Sequence, residues 1–178
     1  DRKRKKKASN DDWKHPHDPD ARITTMKDGR THLAHKVEHT VDLSSGALRA
    51  ITVHPGDAGD TSTIFESMAA ADELSEKVGA PAIEEAVMDK GYHSDDVLAG
   101  MHEIGIPSYI SEPDRGRRSW KGQHEKQARL YENRRRLRGN RNRELQRKRA
   151  ELGERSFAHM YETGGMRRLH LRGRENVE

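Results

Sequence analysis

The stretch Ala86-Val87-Met88-Asp89-Lys90-Gly91-Tyr92-His93-Ser94 joins a short apolar run to a segment with a helical pattern that begins at Asp95. The apolar run predicts a buried strand with Asp89 at its carboxyl end. In α/β enzymes this position commonly holds catalytic or metal-binding groups. Asp and Gly are also common at any turn from a strand to a helix. A second interpretation therefore stays open, in which Asp89 caps the next helix and Gly91 only turns the chain.

The region before this stretch predicts a β-hairpin followed by a helix. Between Thr31 and Val41 the side chains alternate as in a half-buried strand. One face holds Leu33, His35, Val37, His39 and Val41, and the other holds His32, Ala34, Lys36, Glu38 and Thr40. Residues 42–46 have the composition of a turn, residues 47–53 predict a second strand, and residues 62–78 predict a helix with Asp60 or Thr61 as its N-cap.

The region after Asp89 predicts a helix and a strand, and then a change of character. A helix over residues 95–103 with Ser94 as its cap precedes a strand over residues 106–110. A hairpin followed by alternating helices and strands predicts an α/β fold with a mixed sheet. Residues 123–152 are Arg-rich, with Gly139 and Asn140 dividing them into two helices, and helix continues over residues 151–161 until Gly164 and Gly165 stop it.

Composition and charge limit the class of protein. The 178 residues suit one domain, although the hydrophobic share of 31% is small beside the charged share of 36%. With no Cys and no apolar run near twenty residues, we expect a soluble, intracellular protein without a thiolate metal site. The net charge of +4 conceals an acidic centre, residues 57–103, between a basic start and a basic segment over residues 115–149. Basic blocks of this kind often bind polyanions.

Two carboxylates are the candidates for chemistry, Asp89 and Glu154. Mg²⁺ prefers hard oxygen ligands and usually takes one or two protein carboxylates together with substrate phosphate. Such a site needs acids from separate elements that converge in space, and Glu154 also allows the simpler interpretation of a surface or capping residue. The eleven histidines do not have convincing ligand spacing, because on a strand His32 faces away from His35 and His39. Phosphate-binding, dinucleotide and nucleophile motifs are missing from the sequence.

These residues resemble the DDE transposases of bacterial insertion sequences, which have an RNase H-like catalytic domain. The hairpin over residues 32–42 and 46–60 looks like the second and third strands of that family and the loop after them. Met88-Asp89-Lys90-Gly91-Tyr92 is similar to the Asp-Lys-Gly-Tyr signature at the second catalytic Asp. Glu154-Arg155-Ser156-Phe157 is similar to the Glu-Arg-x-Phe helix that carries the third acid.

The resemblance implies four regions. They are a basic, irregular arm or linker (1–30), an α/β core of the catalytic domain (31–111), an Arg-rich helical insertion (112–150), and the acidic-residue helix and tail (151–178). It also implies Mg²⁺ (or Mn²⁺) bound by Asp89 and Glu154, cleavage and strand transfer at the element ends, self-association on DNA, and a cytoplasmic, nucleoid-associated protein without membrane contact.

The chain departs from the family pattern in its acidic residues. The first catalytic Asp of the family lies on a strand before the hairpin, so we expect this chain to be a fragment with an incomplete triad. Asp42 is the strand-end Asp that could replace it, although it fits the hairpin turn better. At the position after the third acid where the family pattern has Lys, this chain has Tyr161. Glu151 is an alternative to Glu154 as the third acid.

The Arg-rich segment is the expected DNA clamp, with Trp120 or Tyr131 able to stack an unpaired base. Its candidate contacts are Arg134, Arg135, Arg136, Arg138, Arg141 and Arg143. A solvated helix face is the alternative for these arginines. For the whole protein, the alternatives are a non-catalytic nucleic-acid-binding protein and an inactive transposase remnant.

Overall fold

A computed structural model describes residues 10–25, 29–116, 118–166 and 168–177. Three antiparallel strands form the first sheet in the order β1 (Arg22–Thr25), β2 (Thr31–Val41) and β3 (Leu48–Pro55). The bounds of β2 are those that the alternation predicts. Strand β1 lies in the segment that we expected to be irregular, and Ala21 beside it is 3% exposed, so this part of the segment packs with the domain. Residues 1–9 of the expected basic arm lie outside the described residues.

Helix α1 (Asp60–Val78) packs on the β2–β3 hairpin and confirms the predicted helix. Its apolar side chains Ile64, Met68 and Ala71 recur at helical spacing and are buried. The expected N-cap was wrong, because Gly59 takes that position and Asp60 is the first helical residue. The helix ends at Gly79, whose φ of 66° is left-handed and therefore suits Gly.

The second sheet consists of two parallel strands, β4 (Ala86–Met88) and β5 (Ser108–Ile110), joined by helix α2 (Asp95–Glu103). The Oγ of Ser94 accepts a hydrogen bond of 3.0 Å from the Val97 amide, which confirms the predicted cap. The core is small and lies around these elements. Its buried members are Ile64, Met68, Met88, Val97, Leu98, Met101, Ile110 and Leu130.

The Arg-rich region folds into α3 (His124–Leu137) and α4 (Asn140–Glu162), with the predicted break at Gly139, and a short α5 (Arg174–Val177) follows. Few side chains anchor these helices. Leu130 is fully buried, and Asn133 binds both the amide and the carbonyl of Ile110, at 3.3 and 2.8 Å. Most of the basic surface therefore remains available to solvent.

The α/β class is confirmed, but the strands form two sheets rather than the single mixed sheet that we expected. The reason is that no strand among the described residues lies between β2 and β4. None of the described helices combines the length and apolar character needed to cross a membrane.

Candidate active site

An open cleft of about 2040 Å³ separates β2 from β4. Its walls include consecutive residues over 32–37 and 39–44 on one side and over 81–89 on the other. A strand that showed only its face would contribute alternate residues, so consecutive lining indicates that strand edges border the cleft. Helix α4 forms a further wall with Leu145, Lys148, Arg149, Gly153, Glu154 and Phe157.

Asp89 lies at the carboxyl end of β4 and lines this cleft. Its Oδ1 accepts a hydrogen bond of 2.6 Å from the amide of Lys90, the first residue of a 3₁₀ turn over Lys90–Tyr92. Asp89 therefore caps this short turn and not helix α2, whose cap is Ser94. Among the described residues, no other polar group binds the carboxylate of Asp89, so Oδ2 is open to a ligand.

Glu154 reaches the same cleft from helix α4, and its side chain is exposed. Its carboxylate has no hydrogen-bond or ion-pair partner in the described ranges. The alternative acid, Glu151, does not line the cleft, and its Oε1 is 2.8 Å from a guanidinium nitrogen of Arg155. Of these two acids, Glu154 is the one that lines the cleft.

The motif around Glu154 docks its helix onto β2. The ring of His39 stacks on Phe157 with centroids 3.9 Å apart and planes at 3°. The Nδ1 of His39 is also 2.9 Å from Ser156 Oγ. Burial lowers the pKa of His39, which favours a neutral ring against Phe157.

Asp42 belongs to the hairpin turn, as its sequence context suggests. Its carboxylate accepts hydrogen bonds from the amides and hydroxyls of Ser44 and Ser45. The Ser45 hydroxyl is foremost among the donors that lower the pKa of Asp42 to about 2. This carboxylate is already bound within the turn, so Asp42 is a poor candidate for a catalytic acid.

The surroundings of the Asp89 turn include charged residues that sequence reasoning did not single out. Lys36 lines the cleft, and its Nζ is 2.7 Å from oxygens of both Glu38 and Asp60. Glu38 is 5% exposed and receives a hydrogen bond of 3.0 Å from the hydroxyl of Tyr92. The sequence signal that could have found Lys36 and Glu38 was their position on the same face of β2. The alternation of the strand identified that face only as polar.

The six candidate arginines fall into two groups. The paired arginines bind acidic side chains of the chain itself, Arg134 with Glu112 at 2.7 and 2.9 Å, Arg136 with Glu132 at 2.9 Å, and Arg141 with Glu85. The corner arginines lie where α3 ends and α4 begins, are exposed, and have side chains without polar partners among the described residues; they are Arg135, Arg138 and Arg143.

The two aromatic candidates differ in exposure. Trp120 packs against the core under the guanidinium of Arg118, whose carbon is 4.6 Å from the ring centroid. Tyr131 is 44% exposed, and Arg134 lies 5.2 Å from its centroid. Of the two rings, that of Tyr131 is the more accessible to a partner.

The histidines near the cleft have separate surroundings. His35 Nε2 is 3.1 Å from the buried Asp18, His39 packs against Phe157, and His32 is exposed. Within the described ranges, no group of three or more His, Asp or Glu side chains is arranged to hold a metal ion. The hard carboxylate oxygens of Asp89 and Glu154 suit Mg²⁺ in type, and one or two protein carboxylates are what Mg²⁺ usually takes beside substrate phosphate.

The comparisons with known proteins agree with the sequence motifs. A family model described as a transposase DDE domain matches residues 10–178. Comparison with curated proteins and with solved structures gave no match.

Proposed function

Because the chain belongs to the transposase DDE domain family, we propose that it carries out metal-dependent DNA cleavage and strand transfer at the ends of an insertion sequence. Asp89 and Glu154 are the proposed catalytic residues and metal ligands. The observation that supports this proposal is that both carboxylates line one cleft from separate elements, and neither forms an ion pair within the described part of the chain.

The chemistry is phosphodiester exchange. A water oxygen attacks the phosphorus at the element end, the bond to the 3′-oxygen breaks, and that oxygen leaves as a 3′-hydroxyl after taking up a proton. The same hydroxyl then attacks a phosphodiester of the target, which releases one target 3′-hydroxyl for each new bond. Divalent cations held by acidic side chains activate the attacking oxygen and stabilise the leaving oxygen in reactions of this class.

The chain's own contribution is to hold the two acids at the cleft. The short turn after β4 presents Asp89, and the contact between His39 and Phe157 holds the helix that presents Glu154. Both acids are exposed, so substrate phosphate can approach them without prior opening of the domain.

We place the remaining acid of an RNase H-like triad on a further strand in the cleft. Among the described residues, β4 pairs only with β5, and residues 35–41 of β2 pair only with β3. Each strand therefore has one edge without a strand partner, and both strands border the same cleft. A strand between them would use these open backbone groups, join the two sheets and bring its side chains beside Asp89.

DNA is the proposed partner of the basic surface. Among the described residues, no acid pairs with the corner arginines, so their charge is available to DNA phosphates. The paired arginines would have to give up an internal carboxylate first.

The proposal is tested by DNA nicking and by Mn²⁺ binding. In a form of the protein whose cleft also holds the further strand, nicking of supercoiled DNA should require Mg²⁺ and should be lost in Asp89→Asn and Glu154→Gln. Asp96→Asn is the matched control, because Asp96 is an exposed acid in helix α2 outside the cleft. Mn²⁺ binding, followed by water proton relaxation, should weaken about tenfold or more in each active-site variant.

The two measurements separate the alternatives. Mn²⁺ binding that depends on both acids, without nicking, would identify an incomplete or inactive site. Loss in Glu151→Gln instead of Glu154→Gln would move the third acid to Glu151. Undiminished nicking and Mn²⁺ binding in both Asp89→Asn and Glu154→Gln would overturn the proposal.

A further inference from the structure

Glu38 is a buried carboxylate whose oxygens are fully used by neighbouring donors. The hydroxyls of Thr63 and Ser67 each donate to it at 2.5 Å. The hydroxyl of Tyr92 donates at 3.0 Å, and Lys36 Nζ lies at 2.7 Å. Burial opposes the charge, but the donors outweigh it and the pKa of Glu38 lies below its ordinary value.

One of these donors belongs to the turn that follows Asp89. Tyr92 is the last residue of the Lys90–Tyr92 turn, and its amide donates to the Asp89 carbonyl at 3.1 Å. The hydroxyl of Tyr92 is the donor to Glu38, because an ionised carboxylate has only acceptor oxygens. The bond from Tyr92 to Glu38 therefore ties the Asp89 turn to strand β2.

A second contact holds the turn from the side of helix α1. The carboxylate of Asp60 lies directly against Gly91, where a Cβ would overlap Asp60 Oδ2. Lys36 binds Asp60 and Glu38 together, at 2.7 Å from each. The ion pair with Lys36 therefore helps to hold the carboxylate of Asp60 against Gly91.

We infer that Glu38 is a positioning residue, which acts through Tyr92 to set the direction in which Asp89 points into the cleft. This inference rests on the proposed function, because it assigns Glu38 to the metal-binding role of Asp89. A merely structural Glu38 would stabilise the hairpin and helix α1 without affecting a ligand at Asp89.

Tyr92→Phe isolates the contact, because it removes only the hydroxyl. The matched control is Tyr109→Phe, which removes a tyrosine hydroxyl on β5 that binds Glu85 and does not touch the turn. Hydrogen exchange is read at the amides of Lys90, residue 92 and His93, which are all hydrogen-bonded in the turn. Exchange there should accelerate about tenfold in Tyr92→Phe, the effect of one hydrogen bond, and should not change in the control.

Mn²⁺ affinity separates positioning from stability. It should fall about tenfold in Tyr92→Phe, as is typical of a residue that orients a metal ligand. In an Asp89→Asn background the same change should have no further effect on Mn²⁺ binding. If circular dichroism shows that Glu38→Gln folds, this variant should also have a lower Mn²⁺ affinity. If it does not fold, Tyr92→Phe provides the test.

Each outcome has a distinct meaning. Faster exchange with unchanged Mn²⁺ affinity in Tyr92→Phe would overturn the positioning role and leave the proposed function intact. Unchanged exchange in Tyr92→Phe would overturn the tether itself. Unchanged Mn²⁺ affinity in Asp89→Asn would overturn the metal role of Asp89, and the inference would fail with it.

Discussion

The division of the arginines predicts that substituting three corner arginines affects DNA affinity far more than substituting three paired arginines. Each phosphate contact contributes about 0.9 to the slope of log affinity against log salt on duplex DNA. If each corner arginine contacts one phosphate, replacing all three by Gln makes this slope less steep by about 2.7. Between 50 and 200 mM salt, the wild-type protein should then lose about 40-fold more affinity than this variant.

The measurement is fluorescence anisotropy with a labelled duplex over that salt range. Replacing the paired arginines by Gln removes the same three positive charges, so the net charge of the two variants is equal. Only the corner variant should show the reduced slope, because the paired arginines already have internal acids at hydrogen-bond distance. Equal slopes for the two variants would show that overall charge, and not the α3–α4 corner, sets DNA affinity.

Two further predictions concern stability. The pKa of Asp42 is about 2 against an ordinary value of 3.8, so its charged form favours the folded state above about pH 4 and this contribution is lost as the pH falls toward 2. After allowance for solvent screening, we expect Asp42→Asn to lower the free energy of unfolding by about 1 kcal/mol near neutral pH and by almost nothing at pH 2. Urea unfolding at several pH values measures this difference. Leu130→Ala should lower the free energy of unfolding by about 3 kcal/mol, because Leu130 is fully buried. Leu74→Ala, at a 40% exposed position of α1, should lower it by less than about 1 kcal/mol in the same assay. Similar losses in the two variants would contradict the assignment of Leu130 to the core.

Local patterns predicted most of the regular elements. Strand β2 and helix α2 have the predicted bounds, since alternation and the Ser94 cap are local signals. Strand β1 was missed because it has only four residues and depends on pairing with the start of β2. The cap of α1 was missed because Asp60, a common capping residue, instead binds Lys36 from a distant strand.

The candidate site shows the same limit. Asp89 and Glu154 were selected by motif, and their approach to one cleft depends on the packing of α4 against β2. Two of the three paired arginines could not be recognised from sequence, because the acidic partners of Arg134 and Arg141 lie 22 and 56 residues away along the chain. The pair of Arg136 with Glu132 is the local exception, since the two residues are four apart on helix α3.

By itself, the sequence determined the order of the elements from β2 to α4, the acids offered for chemistry and the basic segment, because backbone periodicity, turn residues and charge are properties of neighbouring residues. Tertiary structure alone decided that the polar face of β2 is buried around Glu38, that this carboxylate reaches the turn after Asp89, and which arginines keep their charge for a partner. These outcomes depend on distances between residues far apart in the chain. A carboxylate on a strand becomes a buried anchor or a solvated charge according to which donors packing brings to it.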